Sequence, residues 1–549
     1  MRALVRDLLE LGVSVGQVND TIAVVARALG VPVEGSLSAR SVERIALEGL
    51  VAAYCQLAEE IRDADGITAS GDGTSYRNTQ LESRHIILNT GDSHQRRFLG
   101  IHSAPNHTSN TQLEGLKELN AEIFDTYNDS PNGKKNPADP RSFPLKICGM
   151  MTDHAEDQKR LGRITLDWKI AVDRELRGEQ AVADHSPSDL LLRLAEETAR
   201  AVEKIGREAW DALTPEELAA QDQEIRRAVH VALGEEAYSQ CSDTEKRKID
   251  LFVHAGCCMH KELNAVKGGN TSMMAYWDTT DIAPVLLMNR DNHAAAAAGT
   301  STAQVRAVKR STGGAVKVTE LSGGVFHHRD DRKGQQDAFR YHMEMRTGKP
   351  VPHPDTTNIR YQSHCTAAGF LILHYDHVLT YLDEVKDRKT GDGGWNHMEA
   401  NVARGLRDDP TLTELCVLAL YAQAISHPYM REVRCGNGAS ALSLGPFHEQ
   451  LKTHLARLIA DPDLLLGPNA TYKSATLDGQ EWKDPDVVYA VRERAQTLPH
   501  AKGALVAFLK GALATWERFT AEFARGGVID RMDAEELKRT HMDKGKRCQ

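Results

Sequence analysis

Between residues 65 and 108 the chain changes its hydrophobic period, and this change constrains the fold more than any other feature. "DGITASGDGTSYRN", "SRHIILNT" and "RRFLGIHSAPNHT" read as three consecutive strands, rich in Ile, Thr and Leu and separated by short polar turns. Connections this short make neighbouring strands antiparallel. An amphipathic helix is predicted over "NTQLEGLKELNAEIFDTYND", with Asn110 as its cap. Beyond a Pro/Gly/Asn-rich loop, the apolar run in "LKICGMMTDHAEDQ" supplies a fourth strand ending in a charged loop. A helix over "HAEDQKRLGRITLDWKIAVDREL" and a charged helical stretch at 175–248, with a Thr-Pro start at "LTPEEL", separate it from a last strand in "KIDLFVHAG". This order predicts an α/β fold, a mixed sheet covered by helices.

The flanks are helical in pattern. Residues 1–62 suggest short helices with Ser38 as a cap and with Arg40 and Arg44 on one face. That arrangement suits either a helix-turn-helix that reads DNA or a plain helical hairpin. Residues 291–355 read as a basic irregular region, and residues 356–549 as a helical domain. A chain of 549 residues accommodates two or three domains, and 41% hydrophobic with 26% charged residues is the balance of a well-cored protein. Neither an N-terminal apolar leader nor an apolar run of membrane-spanning length is present, and nine scattered cysteines do not make a disulfide framework. An intracellular protein without a membrane partner is the expectation.

A net charge of -10 excludes a protein that coats duplex DNA with a uniformly basic surface, and 5% aromatics advertise no stacking platform. Contact with DNA would need a local patch. Residues 301–350 hold ten Lys/Arg against five Asp/Glu, a net of five positive charges. Arg306, Lys309, Arg310, Arg332 and Lys333 are the expected DNA-tracking residues there; a solvated loop is the competing reading.

Two aspartates stand at strand ends. Asp72 lies in "ASGDGTSYRN" and Asp153 in "CGMMTDHAEDQ". A fourth strand parallel to the first would bring the two carboxylates to adjacent strands, roughly 5 Å apart. With a third acid such a pair suits two Mg²⁺ ions, which take few carboxylates, keep water and use substrate phosphates as ligands. The competing reading of each is a turn former beside glycine. "GDGT" also fits a phosphate loop of a nucleotide-dependent kinase, which would need a helix directly after it. In "LFVHAGCCMHKELNAVKGGN", Cys257 and His260 form a C-x-x-H that supplies two of the four ligands a structural zinc needs. Cys258, His254, His364 and Cys365 are the other donors, and a packed thiol–imidazole pair is the alternative.

Taken in order, the strands with Asp72, "TDHAEDQ" with Asp153, "CCMHKELNAVKGG" and "NIRYQSHCTAAGFLI" resemble the transposon-derived proteins with an RNase H-like core. The likeness is to hAT-like transposases and, over nearly the whole chain ("NHTSNTQLEG", "GQQD", "AISHPYMREVR"), to the abundant transposase-like proteins of mushroom-forming fungi. The resemblance implies an RNase H-like core over 63–290, with a helical insertion at about 175–248. "TDHA" would fill the role of the second acidic motif, Cys257 with His260 and "ELNAV" that of the C-x-x-H closing the core, and Arg360–Tyr361 that of the segment opening the helical insertion.

It further implies a nuclear protein that cleaves DNA and transfers strands with two Mg²⁺ ions, zinc and a homo-oligomer being further partners it allows. Glu432 is the expected third acid, ahead of Glu414. The fungal proteins continue past the equivalent of Gln549 into an Asn-Glu-Gly-type motif, so a chain depending on that later Glu would be inert as a nuclease. A catalytically inactive, domesticated DNA-binding or scaffold protein is therefore the alternative, with the kinase as a third.

Overall fold

The computed structural model describes residues 1–298, 301–328, 334–356, 362–389, 394–434 and 439–544. The chain divides into two compact units. The first holds Met1–Ala255 together with Met532–Met542; the second holds Gly256–Arg531 and the residues from Asp543.

The first unit opens with helices α1 (Arg2–Glu10), α2 (Val18–Ala28) and α3 (Ala39–Asp63). Val5, Val18, Ile22, Val42 and Ile45 form a small core of their own. Ser38 caps α3 as expected, its hydroxyl accepting from the Ser41 N–H at 3.2 Å. Strands β1 (Gly66–Tyr76), β2 (Thr79–Thr90) and β3 (Ser93–Ala104) follow as an antiparallel meander. Arg77 and Asn78, at φ 49° and 65°, make the two-residue turn between β1 and β2. Two left-handed residues give the turn the twist that the flanking strands need.

Helices α4 (Ser109–Asp129), α5 (Pro131–Lys135) and α6 (Ser142–Lys146) lead to β4 (Ile147–Thr152), which runs parallel to β1. Thr108, not Asn110, caps α4. Asn106 Oδ1 accepts from the Thr108 and Thr111 hydroxyls and fixes Thr108 where its own oxygen meets the Thr111 N–H. Next come α7 (Glu156–Ala181), α8 (Pro187–Ile205), α9 (Arg207–Asp211), α10 (Pro215–Ser239) and α11 (Asp243–Ile249), then β5 (Val253–Gly256). The Thr-Pro start of α10 is a full capping box of Thr214 and Glu217.

The sheet order is β3-β2-β1-β4-β5, with antiparallel and parallel pairs in one sheet. One face carries Ile67, Ala69, Ile86 and Leu88 into a core closed by α3, α4 and α7 through Ile61, Phe124 and Leu161. On the other face the segment around the helix Ala534–Arg539 returns to the sheet. Asn89 donates to the Arg539 carbonyl at 2.8 Å, and a Cβ on Gly66 would overlap that same oxygen. The buried Lys169 of α7 donates to the carbonyls of Ile147 and Leu251 at 2.8 Å each, tying the start of β4 to the approach to β5.

The second unit is helical; among its described residues no strand occurs beyond isolated bridges. Its helices include α12 (Cys258–Trp277), α13 (Arg290–Ala297), α14 (Ser301–Arg310), α15 (Gly314–Phe326) and α16 (Gln336–Thr347). Residues 291–355 are thus largely helical, which corrects the expectation of an irregular region. The glycines of "STGGAVKVTELSGGV" are packing residues, not loop formers. Gly314 takes φ +78° against Glu414, and a Cβ on Gly323 would overlap the Thr356 hydroxyl. Helices α17 (Ser363–Leu373), α18 (Tyr375–Arg388), α19 (His397–Leu406) and α20 (Asp409–Tyr421) follow, and α20 is buried from Pro410 to Tyr421. A π-helical turn, Ala422–Ser426, joins it to α21 (His427–Arg434). No helix among the described residues is long and apolar enough to cross a membrane.

Candidate functional site

The parallel pair β1–β4 leads both aspartates to one end of the sheet. Its last bonded pair is Ser70 with Met151; Asp72 lies two residues further along β1, and Asp153 is the first residue past the end of β4. Both residues line one cavity of about 280 Å³ at this end of the sheet. Asp72 is exposed and Asp153 half-buried. Asp153 Oδ1 accepts from the Ala155 N–H at 2.9 Å, an Asx turn leading into α7.

Much of the rest of the lining comes from β2, α4 and α7. Glu82 is only 6% exposed and pairs through Oε2 with Arg84 at 2.9 Å. Arg84 spends its other donors on the carbonyl of Gly115, at 2.5 Å, and on that of Gln112, at 3.5 Å. Gln158 donates to Gln112 Oε1 at 3.0 Å, and Ser109 Oγ to the Asp157 carbonyl at 2.7 Å, so the starts of α4 and α7 are bonded together over the cavity. Glu82 and Arg84 carried a legible signal: period-two alternation puts both on the inward face with Ile86 and Leu88. A charged pair on a core-facing strand position marks a buried polar cluster that must find partners there.

"GDGT" lies within β1 as extended backbone, with Gly71, Asp72 and Gly73 paired to Arg84, Ser83 and Glu82. The chain continues into the hairpin, not into a helix. Glu432 sits on α21 in the second unit, where Lys544 Nζ holds one of its oxygens at 2.7 Å. Glu414 is buried in α20 and accepts from Trp277 Nε1 at 2.8 Å and the Ala315 N–H at 2.7 Å. It pins three helices.

Cys257 is the N-cap of α12, and burial pushes its thiol up to about 11, against the thiolate that zinc requires. His364 Nδ1 meets the Thr319 hydroxyl at 2.9 Å, and in the first unit His254 Nε2 meets the Thr152 hydroxyl at 2.9 Å. Among the described residues no group of three or more His, Cys, Asp or Glu side chains is arranged to hold a metal ion. Arg306, Lys309 and Arg310 are exposed on α14 at a spacing that puts them on one helix face. Arg332 and Lys333, like Arg360 and Tyr361, lie outside the described residues. No protein-family model matches this chain, and no curated protein is significantly similar to it.

Proposed function

We propose that the first unit is an RNase H-like core of a transposase-like protein, in which Asp72 and Asp153 bind Mg²⁺ and act on a DNA phosphodiester. The single observation that carries this reading is that both acids line one cavity beside the parallel pair β1–β4. The sheet order, three antiparallel strands followed by a parallel fourth, supports it. The two carboxylates fit one Mg²⁺, whose remaining positions water and substrate phosphates fill. Bound there, the ion would supply charge stabilisation to the displaced oxygens. Asp72 and Asp153 would position it, and Arg306, Lys309 and Arg310 would hold the DNA backbone.

The test is nicking of supercoiled DNA in Mg²⁺ or Mn²⁺. Asp72→Asn and Asp153→Asn should each lower the rate by at least a hundredfold while leaving the thermal midpoint within a few degrees. Nicking that survives Asp153→Asn removes the assigned site. A second reading, a catalytically silent DNA-binding descendant, is favoured by the Asx turn at Asp153 and by the ion pair that occupies Glu432. It predicts salt-dependent DNA binding with no metal-dependent nicking in the wild type.

A further inference from the structure

The cavity beside the two aspartates has a chemistry that metal binding does not use. Its floor is β1, where Gly71 and Gly73 replace side chains; a Cβ on Gly73 would sit 3.3 Å from the His107 ring. Its walls include Ala69, Leu99, Leu116 and Met150, which are apolar and buried. Into this setting the Glu82 side chain brings a carboxylate whose Oε2 is taken by Arg84 and whose Oε1 is buried with no hydrogen-bond partner. A buried, unmatched carboxylate oxygen is costly to leave unmade and is rare in folded proteins. It asks for an N–H donor.

A ligand that satisfies it must be flat enough for a slot between sheet and helices, apolar on its faces, and carry an N–H donor on one edge. A volume of about 280 Å³ admits one ring system, not a chain of them. We propose that this cavity is a pocket for a single unpaired nucleobase bearing an exocyclic amino group, with Glu82 Oε1 as the acceptor that reads that group. Adenine, cytosine and guanine present such a donor; thymine presents carbonyls at the corresponding positions, which the carboxylate repels. Enzymes that handle an extruded base read it in this way, by edge hydrogen bonds between apolar walls. The proposal rests on the reading that Asp72 and Asp153 handle DNA. The base would then belong to the strand whose phosphate they engage, while a free nucleotide offers the same chemistry.

The experiment is equilibrium binding to the full chain in Mg²⁺-free buffer. Its probes are the four deoxynucleosides and short single-stranded oligonucleotides that carry each base, or 2-aminopurine, at one position. Wild-type protein should prefer the amino-bearing bases over thymine by at least tenfold. Glu82→Gln keeps the size of the side chain and an oxygen for Arg84 but turns an N–H₂ group toward the cavity. It should erase that preference and favour thymine. An oligonucleotide that binds at least tenfold tighter than its nucleoside supports a base within a strand, and comparable affinities support a free nucleotide. No saturable binding, or equal affinity for thymine and the amino bases in the wild type, overturns the proposal even if the variant does not fold. A folded Glu82→Gln with an unchanged ranking also overturns it. Because no metal is present, loss of the nicking assignment leaves this result readable, and the reverse holds too.

Discussion

Gly178→Ala and Gly234→Ala are each expected to lower the stability of the first unit by about 2–3 kcal/mol. In an open helix the same change is stabilising by about 1 kcal/mol. The sign reverses because α7 and α10 cross at these two residues. A Cβ on Gly178 would overlap the carbonyl oxygen of His230, and one on Gly234 that of Arg174. Both obstructing atoms are backbone, so relief requires the helices to part. The ion pair across the crossing, Arg174 with Glu235 at 2.8 Å, would be strained with it. Gly16, whose Cβ would meet nothing within 4 Å, is the control, and Gly16→Ala should stay within about 0.5 kcal/mol of wild type. Urea unfolding measures the loss. Hydrogen exchange locates it: protection should fall in α10 and the second half of α7 and persist in α4. Exchange unchanged in both α7 and α10 would refute the crossing.

These glycines also mark where reading the sequence ran out. "RELRGEQA" and "VALGEEAY" look like ordinary charged helix, because nothing local says which backbone lies opposite a missing side chain. The strand meander was legible since alternation and turn chemistry are local properties, and so were the Ser38 cap and the Thr-Pro start of α10. The approach of Asp72 and Asp153 to one cavity could be framed from the strand order, yet the register of β1 on β4 depends on the bulge near Ile67. The return of Met532–Met542 to the sheet had no signal, for a short helix after hundreds of residues carries no address. Residues 291–355 read as irregular and are largely helical, and there Gly314 and Gly323 are what lets a buried helix approach its neighbours closely. Glu82 was the readable signal left unread, an inward-facing acid two residues from an inward-facing arginine.

In the second unit the buried acids Glu262 and Glu414 should make stability fall as pH rises, the reverse of the usual behaviour of carboxylates. Burial pushes both from the ordinary 4.5 up to about 7. For Glu262 the Ser426 hydroxyl and the charge of Arg434 work weakly against burial. Below about pH 4.5 folded and unfolded states both hold the proton. Between about 4.5 and 7 the unfolded chain releases it and the folded chain keeps it, so each group removes roughly 1.4 kcal/mol per pH unit, about 3 kcal/mol across the window. Above 7 the loss is complete and flat. Buried imidazoles act in the opposite sense: His353 is held down to about 3 and His427 to about 4, so stability rises with pH until the unfolded histidine titrates near 6.5. The raw pH curve therefore mixes both effects, and the difference between variant and wild type isolates the carboxyl. Glu262 accepts one hydrogen bond, from Ser426, and its Oε2 is unmatched. Glu262→Gln should thus equal wild type near pH 5 and exceed it by up to about 3 kcal/mol at pH 8. Glu414 accepts from Trp277 and Ala315 on separate oxygens. Glu414→Gln would set an N–H₂ group against one of those donors and offset the gain by about 1–3 kcal/mol. Urea unfolding at pH 5 and pH 8 separates the two, and a Glu262→Gln difference that does not grow with pH would show that this carboxyl titrates normally.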